Sequence, residues 1–187
     1  MELLLSIALG IGLSASTGFR IFVPALLANV ACMNGWITPS EGFAWLGTWT
    51  AFFALLSATV VEIGAYYIPF VDNLLDTIAA PLSVVAGTLL TTSFVEIDSP
   101  ILQWGLGLIV GGGTAGLVQA GTSLLRLGST TTTGGLGNPV LSTVENIASF
   151  GLSGLAIFLP VLALVAVGSL LWWLWRRVRR YRKKKAL

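Results

Sequence analysis

Apolar residues run in long blocks through this chain, and the polar positions between the blocks divide it into segments of membrane-spanning length. Leu3 to Val30 is one such block, broken by Ser14-Ala15-Ser16-Thr17-Gly18, Arg20 and Pro24. At about 1.5 Å per residue it exceeds the hydrocarbon thickness and must tilt, kink or break. Cys32 to Gly47 reads as a connection: Asn34-Gly35, Pro39 and Glu41-Gly42 are turn signals, and Trp36 and Trp45 suit the headgroup level. Trp49 to Ile68 is the second span, with Glu62 toward its far end and Pro69 closing it.

Asp72-Asn73-Leu74-Leu75-Asp76-Thr77 is a polar stretch ahead of a third span, Ile78 to Thr91, and Glu96 and Asp98 mark a brief aqueous loop. The fourth span, Ile101 to Leu127, holds seven glycines, a density that lets helix backbones approach closely where lipid supplies no hydrophobic drive. Gly128 to Pro139 is rich in glycine and hydroxyls and makes a poor helix. A half-polar helix from Pro139 through Glu145 to Phe150 follows, then an apolar course from Gly151 to Trp175 kinked at Pro160. The 36 residues from Val140 to Trp175 are too many for one crossing and tight for two. The pattern predicts an all-α membrane protein of about five transmembrane helices plus a re-entrant or broken helix, six ordinary spans being the alternative. Residues 1–175 form one polytopic transmembrane domain and 176–187 a basic tail.

A weak internal repeat aligns Val61-Glu62-Ile63-Gly64 with Val118-Gln119-Ala120-Gly121 and, with one insertion, Pro81 with Pro139. Read as a duplication, it sets two polar breaks at corresponding places, as in transporter folds with a central site; read as chance, it reflects a biased composition.

Composition sharpens the membrane assignment. The chain is 55% hydrophobic and 10% charged, with a mean hydropathy of +0.89, far more apolar than a soluble domain. Its amino terminus lacks the basic region of a signal peptide, so the first apolar block reads as a span. Eight of the ten basic residues lie in the last twelve positions, behind Trp172, Trp173 and Trp175. By the positive-inside rule this places the carboxyl terminus in the cytoplasm of a multi-pass inner-membrane protein. The remainder carries Arg20 and Arg126 against eight carboxylates, a poor surface for nucleic acid. A single cysteine and no histidine remove an internal disulfide, cysteine metal clusters, zinc chemistry and Ser-His triads. No cofactor is called for. The lipid bilayer and a small ion or solute are the expected partners, and homo-oligomerisation is left open.

Arg20, Glu62, Arg126 and Glu145 fall within or beside apolar spans, where a charge costs about 2.5 to 3.5 kcal/mol at the bilayer centre, so they should face inward and pair. Pairs of Arg20 with Glu62 and Arg126 with Glu145 would serve equally as static locks between helices. Asp72 and Asp76, at i and i+4 around Asn73, project from one face of a helical turn and could hold a cation, or simply belong to a solvated connection. Ser129-Thr130-Thr131-Thr132-Thr133 gives five consecutive hydroxyls before a helix starting at Asn138-Pro139, the make-up of a discontinuous helix that binds solutes, although a flexible aqueous loop has the same composition.

Three stretches carry a resemblance. They are Gly18-Phe19-Arg20 with Phe22-Val23-Pro24; Glu62 through Tyr66-Tyr67-Ile68-Pro69 to Asp72-Asn73-Leu74-Leu75-Asp76-Thr77; and Leu125-Arg126-Leu127-Gly128-Ser129 through Gly134-Gly135-Leu136-Gly137-Asn138-Pro139. The chain resembles the small bacterial inner-membrane proteins of domain of unknown function family 4126, which implies a bacterial integral membrane protein and leaves activity to the residues. They favour a channel or carrier for an ion or small charged solute, its site between the Asp72-Asp76 break and the Thr130 to Asn138 break. Arg20 and Arg126 would attract or gate a charged solute, and Glu62 and Glu145 would pair with them or relay protons. A non-transporting structural or assembly factor is the competing class, and a lipid-modifying enzyme the third; no catalytic residue is assigned.

Overall fold

A computed structural model of the chain describes residues 2–68 and 71–185, with side chains described except at residues 2, 73, 174 and 177–185. Among the described residues the fold is entirely helical. The helices are α1 (Glu2–Thr17), α2 (Phe22–Met33), α3 (Trp49–Ala65), α4 (Val71–Phe94), α5 (Pro100–Leu106), α6 (Gly113–Thr133), α7 (Asn138–Phe158) and α8 (Pro160–Lys185). A 3₁₀ turn, Glu41–Gly47, precedes α3, and a π-helical segment, Gly107–Gly112, joins α5 to α6 in one continuous rod. Local chemistry marks the boundaries. Thr48 caps α3 through the Ala51 amide at 3.2 Å, Pro139 sits in the first turn of α7, and Gly134, at φ +63°, ends α6 in the left-handed conformation that glycine adopts without strain.

Contacts along α1 fix the directions of its neighbours. Ser14 Oγ donates to Gly87 O at 2.6 Å while Thr17 Oγ1 reaches Ser83 O at 3.3 Å, so α4 runs antiparallel to α1. Gly12 lies against Ala156, Ser149 Oγ donates to Ser16 O at 3.1 Å, and Arg20 meets Glu145, so α7 is antiparallel too. Helix α8 returns parallel to α1, with Ala163 beside Gly12 and Val167 clustered with Ala15. One end of the bundle therefore gathers the α1–α2 turn at residues 18–21, the close of α3, the start of α4 and the α6–α7 turn at residues 134–137. The other end carries the connections at residues 34–48 and 95–99 and the reversal at Leu159.

Burial is inverted relative to a soluble protein. Ser14, Ser16, Thr17, Thr91, Thr92, Ser142, Ser149 and Ser153 are fully buried, while Val60 and Val61 on α3, Val140, Val144 and Ile147 on α7, and Val161 and Val165 on α8 are exposed. Three helices, Leu74–Phe94, Pro100–Thr133 and Asn138–Phe158, are long and apolar enough to cross a membrane; a fourth is added if the 3₁₀ turn and α3, bent by 66°, form one span. Leu3–Thr17, Phe22–Met33 and Pro160–Trp173 are apolar but shorter.

Several sequence boundaries move. The first apolar block breaks at residues 18–21 into two short helices that fold back on each other. Residues 72–77 are not a loop before a span but the first turns of α4. Residues 128–133 are likewise not a helix break: α6 runs through them to Thr133, and the hydroxyls of Thr131, Thr132 and Thr133 bond carbonyls of their own preceding turn, as Thr131 Oγ1 does to Leu127 O at 3.0 Å. Helix α7 does not stop near Phe150. It continues to Phe158, and the chain turns at Leu159, where the ring of Pro160 excludes a helical backbone for the residue before it. The duplication also loses its frame, since the position aligned with the end of α3 falls inside α6.

Candidate functional site

Glu145 is the centre of a buried polar layer where α4, α6 and α7 meet the α1–α2 turn. The side chains that α4, α6 and α7 give to this layer are placed by helical periodicity, whereas Arg20 comes from the α1–α2 turn and Tyr66 from the close of α3. On α7, Asn138, Ser142, Glu145, Ser149 and Ser153 are buried on one face; on α6, Gln119, Thr122 and Arg126 are; on α4, Asp72 and Asp76 stand one turn apart.

Arg20, 1% exposed, has all three guanidinium nitrogens engaged: Nε donates to Asn146 Oδ1 at 2.6 Å, Nη1 to Glu145 Oε2 at 2.8 Å and Phe19 O at 3.0 Å, and Nη2 to Ser142 O at 3.1 Å. Arg126, 2% exposed, approaches the same carboxylate from α6. Its Nε donates to Glu145 Oε1 at 3.2 Å and its Nη2 both to Glu145 Oε2 and to Ser142 Oγ, the latter at 3.1 Å, while Asp76 Oδ1 lies 3.7 Å from Nε. The Tyr66 ring lies under both guanidinium groups, 4.1 Å from Arg20 Cζ and 4.4 Å from Arg126 Cζ, so the two like charges share one carboxylate and one aromatic face. Arg126 Nη1 is buried with no hydrogen-bond partner.

Glu62 does not pair with Arg20 as the simplest arithmetic of charges suggests. It accepts from the backbone amides of Ile21 at 2.7 Å and Phe22 at 3.0 Å, capping the start of α2. The cause is local: the first amides of a helix need acceptors, Ile21 offers none from its side chain, and a carboxylate favours the positive end of the helix dipole. Both arginines turn instead to Glu145. Glu62 also lies, with Tyr66, in a groove of about 380 Å³ between α3 and α4 whose walls include Val61, Leu75, Ile78 and Leu82.

A second arm of the layer joins Asp72, Thr130 and Asn138. The Asn138 Nδ2 donates to Asp72 Oδ2 at 2.7 Å and to Thr130 Oγ1 at 3.2 Å, and its buried Oδ1 has no hydrogen-bond partner. Asn73 is on the same turn of α4, its side chain outside the described ones. Thr131, Thr132 and Thr133 are exposed and spend their hydroxyls on their own helix, with Thr133 Oγ1 also accepting from the Gly137 amide at 3.0 Å. They stand outside the layer that holds Thr130. Among the threonines of the hydroxyl run, Thr130 bonds into the layer.

Tyr66, Ser142 and Asn146 belong to the layer without having been singled out from sequence. Ser142 and Asn146 were detectable, because Asn138, Ser142, Asn146 and Ser149 repeat at helical spacing with Glu145 on an otherwise apolar helix. Tyr66 carried no such signal.

No curated protein and no solved structure matches the chain. A family model does, and it spans residues 7–180, taking in every residue of the polar layer; the chain belongs to the family described as Domain of unknown function (DUF4126).

Proposed function

We propose that this protein is a small bacterial inner-membrane transport protein, a channel or carrier for an ion or small charged solute, with its working site in the layer around Glu145. One observation carries the reading. Two arginines and four carboxylates, Glu62, Asp72, Asp76 and Glu145, are brought together at one end of an apolar bundle, and within them Arg126 Nη1 and Asn138 Oδ1 remain buried and unfilled. Buried polar groups are ordinarily satisfied, and a donor and an acceptor left open in one layer are what a polar solute or water would complete. The basic tail supports an orientation: α8 runs parallel to α1, so the tail leaves from the end that holds the layer, which then faces the cytoplasm.

The full engagement of Arg20 favours a second reading, in which the layer is only a lock between helices in a structural or assembly factor. The two are separated by flux. Monodisperse protein in liposomes should pass a member of a broad panel of inorganic ions and small charged metabolites above the rate of empty vesicles. Arg126→Gln or Asp76→Asn should reduce that flux while the protein remains monodisperse. A panel with no protein-dependent flux overturns the transport reading in favour of the lock.

A further inference from the structure

We propose that the groove between α3 and α4 binds a lipophilic organic cation, its apolar body between the helices and its charge at Glu62; that such a cation is transported rests on the reading above, whereas its binding does not. Packing creates the groove. Helix α3 lies against α2 and the 3₁₀ turn and stands off α4, which leaves the space of about 380 Å³ between them. Val61, Ile78 and Leu82 line it and are themselves exposed, so it opens sideways, toward lipid. A ligand would enter from the bilayer.

Size narrows the occupant. Along α3 the lining runs from Ser57 to Tyr66, about 14 Å at the helical rise. A helix about 10 Å across would take about 1,000 Å³ over that length, so a spanning helix, from a second copy of this chain or elsewhere, would not seat in it. The volume is that of a small-molecule pocket, for which the range is about 300 to 1,000 Å³.

Charge then separates a cation from a lipid tail. Glu62 is 8% exposed, and among the described lining residues it alone is charged. Its carboxylate accepts from the Ile21 and Phe22 amides, and among the described side chains no arginine or lysine forms an ion pair with it. Arg20 and Arg126 are both committed to Glu145. The start of a helix supplies about half a positive charge, which leaves part of the negative charge unbalanced, and an ionised carboxylate accepts about four hydrogen bonds. The Ser57 hydroxyl, also on the wall, is spent on Phe53 O at 2.7 Å. An acyl chain would lay methylenes against the carboxylate and give its charge nothing. A cation with apolar substituents matches both the walls and the charge.

The probe is ethidium, a planar aromatic cation, added to monodisperse protein in detergent, with its fluorescence corrected for that in empty micelles. Binding should saturate and raise the unfolding temperature with ethidium concentration. Phenylphenanthridine, the parent ring system and uncharged at neutral pH, should bind at least about tenfold more weakly. Glu62→Gln should weaken ethidium at least about tenfold and leave the uncharged ring within about threefold of its affinity for the unchanged protein. Ala58→Leu, which fills the groove without touching the carboxylate, should weaken both ligands. If Glu62→Gln fails to fold, Ala58→Leu and the uncharged ring still decide. Absence of saturable ethidium binding, or ethidium affinity unchanged in either folded variant, overturns the assignment. So does an uncharged ring that binds as tightly as ethidium, which would make the groove a seat for lipid chains. The two proposals fail separately: ethidium binding without flux in liposomes keeps the site and removes transport, and flux of another ion without ethidium binding removes the site alone.

Discussion

Two regions of this bundle are buried and polar, and they are built on opposite principles. In the seam between α4 and the π-helical segment the polar groups are neutral and satisfied within reach: Thr88 Oγ1 donates to Val84 O at 2.7 Å, Thr92 Oγ1 to Thr88 O at 2.8 Å, and Ser14 Oγ to Gly87 O at 2.6 Å. Glycines at 107, 111 and 112 bring the backbones together. In the layer around Glu145 the groups are charged, come from distant parts of the chain, and leave a donor and an acceptor open. A seam of hydroxyls and glycines is what helix association in lipid requires. A layer of charges is not, and that difference is why function is sought there.

The sharpest break of the comparison is Glu145→Ala. It leaves two guanidinium groups buried without their shared carboxylate, and removing one member of a buried ionic set costs about 3 to 5 kcal/mol. Unfolding in detergent should show the loss, and it should exceed that of Arg126→Ala, in which Arg20 still holds Glu145. Equal losses would mean that the two arginines do not depend on one carboxylate. Next in size is Gly111→Val. An added Cβ there would lie 2.7 Å from the Thr91 Cβ and overlap the Gly87 carbonyl, so overpacking should cost about 1 to 3 kcal/mol or more and lower the monodisperse yield. At Gly113, two positions on, an added Cβ meets no neighbouring helix within 4 Å, so Gly113→Val should leave the yield near that of the unchanged protein. If the two variants behave alike, the seam is not close-packed.

These cases also show what could be read from sequence. The cost of charge in lipid correctly sends Arg20 and Arg126 inward, and proline at the first turn correctly places the start of α7. Counting charges could not choose partners. Glu62 and Glu145 are equivalent as carboxylates, and only the fold shows that Glu62 is taken by the amides of α2, leaving Glu145 to both arginines. The residues at 72–77 and 128–133 read as breaks because aspartate and threonine form helices poorly in isolation. Tertiary placement overrides that preference: Asp72 and Thr130 are both bonded by Asn138 from α7 across helices.

Glu62→Ala should have a smaller effect than either of the first two breaks. It removes the acceptor of two helix-start amides, a loss of the size of a helix cap, about 0.5 to 2 kcal/mol. Unfolding temperature measures it, and Glu62→Gln, which keeps one acceptor oxygen, should recover part of the loss. No recovery would assign Glu62 an electrostatic role toward Arg20 in place of capping.

The smallest effect should come from Thr132→Val, two positions from Thr130 and on a different side of α6. Thr132 is exposed, and its hydroxyl bonds only Gly128 O at 2.8 Å and Ser129 O at 3.3 Å, both carbonyls of its own helix that keep their backbone partners. Valine has nearly the same volume, so stability should change by less than about 0.5 kcal/mol, and flux should match that of the unchanged protein. Thr130→Val is of the same chemistry and should lower flux, because its hydroxyl accepts from the buried Asn138. The pair therefore tests the division of one threonine run into a surface part and a part that belongs to the layer. If Thr132→Val lowers flux while Thr130→Val does not, the solute path runs along the exposed face of α6, and the layer around Glu145 joins the seam as structure.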